Sequence, residues 1–301
     1  MVATLSLAPL RMPARRLGNA VLSLVPEAAL RRYYQLHLAF QARRHGRGRP
    51  VELVADPERV VIDDGLRQLV LPHLGRVPRY RQGIGARLHC IGDRYGIGQA
   101  YLPREGDVVI DVGANIGEVT LLCADAGASV VALEPDPRAY ACLAQNVADL
   151  DQVRLVACAA WKGREALKLY LAPDVAASSL IRPPEQKRQS VSVEAWPLDA
   201  LPQIAALPAI DFLKIDAEGV EPEILAGAVR TLKRTRIIAI DMGSAHIRQG
   251  LLEKVENALQ VMRFQRLDQV DGRTVLAANT AFTPLPPPPP PQYPAARSTT
   301  N

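Results

Sequence analysis

The stretch Gly106-Asp-Val-Val-Ile-Asp-Val-Gly-Ala-Asn-Ile-Gly117 decides the fold. Residues 108–112 are apolar apart from Asp111 and predict a short buried strand. The strand breaks at closely spaced glycines, and residues 116–126 then follow a helical period, stopped by Gly127. A glycine-rich strand-to-helix turn lets a ligand come close to the backbone, and the helix N-terminus favours a negative group there. Seventeen residues after Gly117, Glu134 ends a second apolar run at 129–133. A carboxylate in that place is positioned to accept both hydroxyls of a ribose. Turn and carboxylate together describe a nucleoside pocket. For the turn alone, a tight connection of any α/β protein competes with that reading; Glu134 weighs against it.

The glycine spacing separates two kinds of nucleoside ligand. A dinucleotide fingerprint runs Gly-x-Gly-x-x-Gly. Started at Gly113, that frame meets Asn115 and Glu118 where it needs glycines. Glu118 is also ill suited to lie beside phosphates. The pattern present, Gly113-x-Asn115-x-Gly117, resembles the S-adenosylmethionine loop of class I methyltransferases with Asn in the middle glycine's place. Asn accepts left-handed backbone better than most residues, so the exchange is mild.

With 301 residues the chain can bury one large core and a small appendage. Hydrophobic residues make up 48% and charged residues 22%, the balance of an ordinary globular protein. No apolar run approaches the roughly 20 residues of a membrane span. The net charge of +5 is unevenly spread: residues 1–50 hold nine Arg and one acid, Glu27. The remainder carries 27 basic and 30 acidic groups. A nucleic-acid groove on the main domain therefore has no support from charge. Cys90, Cys123, Cys142 and Cys158 form neither a Cys-x-x-Cys pair nor a Cys/His cluster. They read as reduced, buried thiols of a cytoplasmic protein, with no metal site.

The two ends differ from the middle. Residues 1–24 are Arg-bearing and acid-free, which loosely suits a transit peptide. Over 27–44, Leu30, Tyr33, Tyr34, Leu36, Leu38 and Phe40 sit among Arg31, Arg32, Arg43 and Arg44. Such a helix either touches a membrane surface weakly or docks on the domain with solvated Arg, and docking is preferred. Residues 47–50 read as a linker. At the other end, Pro284, Pro286 to Pro291 and the residues beyond form a low-complexity tail that cannot continue a sheet or helix.

Between the ends, strands and helices alternate. Strands are expected at 153–158, 210–215 and 236–240, and helices at 135–150, 221–232 and 251–262. Residues 166–171 and 191–195 look like antiparallel strands flanking a polar loop that holds Ser178, Ser179, Arg182, Pro183 and Pro184. Residues 265–270 and 274–282 predict a hairpin around Asp271-Gly272. The fold class is thus α/β: a Rossmann-like, mostly parallel sheet ending in an antiparallel hairpin. Ligands of such sheets bind at the carboxyl ends of strands.

A second constellation stands at such an end, in Asp211-Phe-Leu-Lys-Ile-Asp-Ala-Glu-Gly219. Lys214, Asp216 and Glu218 alternate, so a continued strand would place them on one face. A Lys in a buried strand needs a partner, and Asp216 or Glu218 is the natural one. The competing account is an ion pair plus acids at a helix entry; that account is preferred for Glu221 and not for Asp216 or Glu218.

The runs Asp111 to Gly117, Glu134-Pro-Asp-Pro137, Asn146, Leu198-Asp199, and Asp211 to Gly219 with Glu221 resemble the FkbM family of methyltransferases, over roughly residues 101–282. The resemblance implies a class I methyltransferase fold with S-adenosylmethionine as cofactor. Asp111, Gly113, Asn115 and Gly117 match its cofactor loop, and Glu134, followed by Asp136, matches its ribose-binding acid. Lys214, Asp216, Glu218 and Gly219 match its signature after the fourth strand. Where the family usually ends the next strand in Glu, this chain has Asp241, one methylene shorter.

The expected layout is a basic helical segment and linker at 1–50, an extension packing on the core at 51–100, the methyltransferase domain at 101–283 and a disordered tail at 284–301. The expected reaction is O-methylation of a sugar, glycan or secondary metabolite. Asp216 is the first candidate base and Glu218 the second, with Lys214 in the same catalytic cluster. Ser178, Asp241 and His246 are candidates for touching the acceptor, although a lone His is more often structural. A divalent metal on Asp216 and Glu218 ranks lower, since no third ligand is evident. The rival function is a cofactor-binding or tethering protein without turnover.

Overall fold

The computed structural model describes residues 26–45, 51–56, 58–172, 177–181, 189–243, 250–267 and 273–282, with backbone only for 41–45. The first 24 residues, the linker, Arg182 to Pro184, His246, the Asp271-Gly272 turn and the proline-rich tail lie outside these residues. Helix α1 (Glu27–His45) leads into strands β1 (Glu52–Leu53), β2 (Val60–Asp63) and β3 (Gln68–Leu71), which form a small antiparallel sheet. A 3-10 helix (Leu74–Tyr80) and α2 (Ile84–Arg94) follow.

The main unit begins with β4 (Val108–Val112), α3 (Glu118–Asp125), β5 (Ser129–Leu133), α4 (Pro137–Asn146) and β6 (Val153–Val156). Strands β7 (Ala159–Ala160), β8 (Glu165–Tyr170) and β9 (Ser190–Trp196) make a separate three-stranded sheet, with β8 and β9 antiparallel as their alternation predicts. Then come α5 (Pro202–Ala205), β10 (Ile210–Ile215), α6 (Glu221–Ala226), α7 (Val229–Lys233), β11 (Thr235–Asp241), α8 (Leu251–Val261), β12 (Phe264–Arg266) and β13 (Thr274–Asn279). The seven-stranded sheet runs β12-β13-β11-β10-β4-β5-β6. β6, β5, β4, β10 and β11 are parallel; β13 is antiparallel to both its neighbours. The terminal hairpin is therefore not simply an antiparallel edge. β13 enters beside β11, and β12 takes the edge, running the same way as the parallel strands.

Strand alternation divides the core into two layers. Val109, Val130, Ala132, Phe212 and Ala239 face one side, where Tyr34, Leu38, Tyr80, Leu88, Leu121 and Leu143 cover them. Ile110, Val131, Leu133, Leu213, Ile215 and Ile238 face the other, under Ile224, Leu225, Val255 and Leu259. Residues before 101 thus share a core with the main sheet. Tyr101 stacks on Phe212 with ring centroids 4.6 Å apart. Helix α1 docks through Tyr34 and Leu38 and leaves Tyr33, Leu36 and Phe40 exposed. Among the described residues no helix is long and apolar enough to cross a membrane.

Two expectations are corrected. The single helix over 221–232 is two helices. A Cβ on Gly227 would lie 2.1 Å from the Trp161 carbonyl oxygen. The chain turns there, and Asp199 accepts from the amides of Arg230 (2.8 Å) and Thr231 (2.7 Å), starting α7 anew. Of the four cysteines, all free, Cys90 is exposed on α2 rather than buried, because the buried stripe of that helix falls on Ile84, Leu88 and Ile91.

Candidate functional site

The chain reverses its direction of travel across the sheet between β4 and β10, and a crevice opens at the carboxyl ends of such neighbours. The loops leaving these two strands touch. A Cβ on Gly113 (φ 73°) would lie 2.0 Å from the Asp216 carbonyl oxygen, so only glycine fits. Asn115 is left-handed at φ 53°, as its place in the glycine pattern predicts, and Gly117 at φ 95° opens α3. The Leu133 carbonyl accepts from the amides of Gly113 and Ala114, which ties the loop to the end of β5.

Glu134 completes that tie. Its Oε2 accepts from the Asn115 amide and its Oε1 from the Asp136 amide, each at 2.7 Å. Burial pushes its carboxyl up to about 7, against the pull of those two amides. Asp136 itself caps α4 through the Arg138 amide at 2.9 Å, pairs with the Arg138 guanidinium at 2.7 Å and accepts from the Ser178 hydroxyl at 2.7 Å.

Lys214 does not pair with Asp216 or Glu218 as its spacing predicts. β10 lies beside β4 with Lys214 opposite Asp111, and Lys214 Nζ sits 3.0 Å from Asp111 Oδ1. It also donates to the carbonyls of Val112 (3.1 Å) and Gly113 (2.6 Å). The ammonium thus has two carbonyl acceptors and one carboxylate counter-charge. Asp111 is fully buried, and Thr120 donates to its other oxygen at 2.7 Å. Both side chains clamp the glycine loop from beneath.

Past β10, Asp216 faces the crevice. Its Oδ2 accepts from the Tyr95 hydroxyl at 2.6 Å, and Oδ1 has no hydrogen bond to the described residues. Burial and the Asp216 charge push the Tyr95 phenol upward, so it stays a donor. Glu218 holds left-handed backbone at φ 54°, with its carbonyl accepting from the Ser179 hydroxyl at 2.9 Å. Burial, then the charges of Asp216 and Asp241, raise its carboxyl to about 7. Glu221 gathers the turn by accepting from the amides of Ala217 and Gly219. Asp241 is fully buried behind Arg273, which it holds at 2.7 Å, and also accepts from the Gly243 amide.

The extension supplies side chains that no motif announced. Arg76, 2% exposed, donates to the Asn115 side chain at 2.6 Å and stands 3.6 Å from Glu118. Glu118 also accepts from Arg87 at 2.6 Å and from the Tyr80 hydroxyl at 2.8 Å. Burial would raise the Glu118 carboxyl, but Arg87 and Arg76 hold it below its ordinary value. Only the fold brings Arg76, Tyr80, Arg87 and Tyr95 to this crevice; their spacing in the sequence carries no signal.

One cavity of about 1550 Å³ joins these parts. Gly113, Asn115, Glu134, Ser178, Lys214, Asp216 and Glu218 line it, as do Tyr95, Arg76 and Arg273. Asp111, Gly117, Asp136 and Asp241 stand behind its wall. Pockets for one small ligand hold about 300–1000 Å³, so this one has room for two molecules. The glycine cradle, the two amides turned to Glu134 and the absence of a phosphate-binding turn fit a nucleoside with a short charged tail. Among the described residues no three His, Cys, Asp or Glu side chains are arranged to hold a metal ion.

Comparison with known proteins finds similarity to methyltransferases. The model of the methyltransferase FkbM domain matches residues 111–269. The 2-O-methyltransferase NoeI of Sinorhizobium fredii (strain NBRC 101917 / NGR234) is 28% identical over 168 residues, covering 50% of this chain and 69% of that protein. Among solved structures, the METTL16 methyltransferase domain has 16% identity and a TM-score of 0.44, covering 80% of this chain and 91% of that one. Magnesium protoporphyrin IX methyltransferase from Synechocystis PCC 6803 has 12% identity and a TM-score of 0.41, covering 68% and 83%.

Proposed function

The chain belongs to the FkbM methyltransferase family, and on that premise we propose that it methylates a hydroxyl of a sugar, glycan or secondary metabolite with S-adenosylmethionine. The observation that carries this is the joining of the Glu134–Asn115 cradle and the Asp216–Tyr95 pair in one cavity with room for donor and acceptor. S-adenosylmethionine, when bound, supplies an electrophilic methyl group on sulfur.

Gly113 and Asn115 offer backbone to the cofactor, and Glu134 accepts the ribose hydroxyls. Lys214 and Asp111 hold the loop from below as a buried ion pair. Asp216 Oδ1 accepts the acceptor's hydroxyl proton, while Tyr95 fixes the carboxylate through Oδ2. Glu218, raised to about 7, takes protons near neutrality and is the next station. The name of the relative NoeI supports oxygen as the accepting atom.

Isothermal titration with S-adenosylmethionine tests the donor, followed by a screen of hydroxyl acceptors for a gain of about 14 Da, one CH₂. Tight binding with transfer to a hydroxyl is expected. Binding without transfer to any acceptor would instead support a non-catalytic tether, and preferential NAD binding would sink the donor assignment.

A further inference from the structure

The outer wall of the cavity is rich in arginine. Among the described residues, eight arginines and one lysine line it against six carboxylates. Most of that charge is matched nearby. Arg76 and Arg87 share Glu118, and Arg273 holds Asp241. Arg31 lies 2.8 Å from Glu27, and Arg59 lies 2.7 Å from Asp56.

Arg81 and Arg94 differ. Neither forms an ion pair with a carboxylate among the described residues, and the one hydrogen bond of Arg81 runs to the Pro78 carbonyl at 3.5 Å. They come from two elements: Arg81 follows the 3-10 helix, and Arg94 stands in the last turn of α2. A helix C-terminus favours a cation, but that does not account for Arg94 lying on the cavity wall. Arg94 also precedes Tyr95, and its charge is felt at the Tyr95 phenol, whose hydroxyl holds Asp216. Arg94 thus brings a positive charge beside the Tyr95–Asp216 pair, and Arg81 stands on the wall of the same cavity. The wall does not sample a generally basic surface, since beyond residue 50 the chain has 30 acids and 27 bases. An arginine on a cavity wall with no acid of its own suits a phosphate or carboxylate group.

We infer that the acceptor is an anionic compound, a phosphorylated or carboxylated sugar whose charged group is held by Arg81 and Arg94. This rests on the methyl-transfer function proposed above. It makes the acceptor's charge, and not only its hydroxyl, a condition of productive binding.

The test uses the full chain and three probes: a neutral hexose, its 6-phosphate and the corresponding hexuronate, each titrated calorimetrically in the presence of S-adenosylmethionine. At least one charged sugar should bind about tenfold more tightly than the hexose or better, a gap of about 1.4 kcal/mol. The stronger of the two identifies phosphate or carboxylate as the recognised group. In the double variant Arg81→Gln, Arg94→Gln that advantage should vanish, with an unaltered thermal melt showing that the protein is folded. The single variants serve if the double one fails to fold. Equal binding of all three sugars, no binding of either charged sugar, or an advantage that survives in the variants overturns the inference. A parallel titration with S-adenosylmethionine alone separates the two proposals. Cofactor binding without preference for charge removes only this inference, whereas no cofactor binding removes the donor assignment beneath it.

Discussion

At Asp216 the proposed chemistry comes down to two oxygens with different duties, one held by Tyr95 and one turned to the acceptor. Asp216→Asn should lower turnover by about 10²–10⁴-fold while leaving S-adenosylmethionine affinity intact; unchanged turnover removes Asp216 from the mechanism. Glu134 is the residue proposed to govern the cofactor half. Its ionised form is the better acceptor for two ribose hydroxyls, so cofactor affinity should rise as pH climbs through about 7. In Glu134→Gln the affinity should be weaker and flat with pH. Lys214 is proposed to serve architecture, since Lys214→Met would leave Asp111 buried without a counter-charge. A loss of about 3–5 kcal/mol in urea unfolding is expected. Full stability with lost turnover would return Lys214 to the chemistry. The sequence announced Asn115, Glu134 and Asp216, because each lies within a few residues of a strand end in a recognisable run. Arg76 and Tyr95 were silent, because their partners Asn115 and Asp216 are remote in sequence and their own neighbourhoods match no motif.

At the scale of elements, boundaries follow caps more than periodicity. The apolar run of β5 coincides with its strand, whereas the helix expected over 135–150 is trimmed to Pro137–Asn146 by the Asp136 cap at one end. The break between α6 and α7 depends on Trp161 and Asp199, which lie on other segments, so no window around 221–232 contains its cause. Asp199→Ala should cost about 1 kcal/mol, read as a lower urea midpoint at unchanged slope, because two α7 amides lose their acceptor. Asn146 stitches elements in the same way, donating to the carbonyls of Ile116 (2.9 Å) and Val70 (3.1 Å). Its place in the family pattern was visible, and what it joins was not.

For the whole molecule, the extension and the main sheet share one apolar layer, from Tyr34 and Leu38 to Val109 and Phe212. They should unfold together, in a single denaturant transition seen alike by tyrosine fluorescence and far-ultraviolet dichroism. An early separate transition would mean that the shared layer is not cooperative. Stability should also depend on pH in a defined sense. Burial raises Glu134, Glu218 and Glu221 from the ordinary 4.5 to about 7, so the folded chain holds protons that the unfolded chain releases in that window. Their contribution to stability is therefore lost as pH rises from about 4.5 to 7. Glu118 and Asp136, held below their ordinary values, act with the opposite sign at lower pH, losing their contribution on acidification.

By itself the sequence determined the alternation of most strands and helices from β4 onward, the glycine cradle, and the acids at the strand ends. All of these rest on local rules: strand and helix periods, the backbone freedom of glycine and asparagine, and the placing of functional groups at carboxyl ends of strands. Only the tertiary structure decided which charges meet. Lys214 takes Asp111 because β10 lies beside β4, and Asp241 takes Arg273 because β13 enters beside β11. Arg76, Arg81, Arg94 and Tyr95 reach the crevice because the extension is packed onto the sheet by a shared apolar layer. Electrostatic partners are chosen by distance in space, and sequence spacing reports that distance only within a single element.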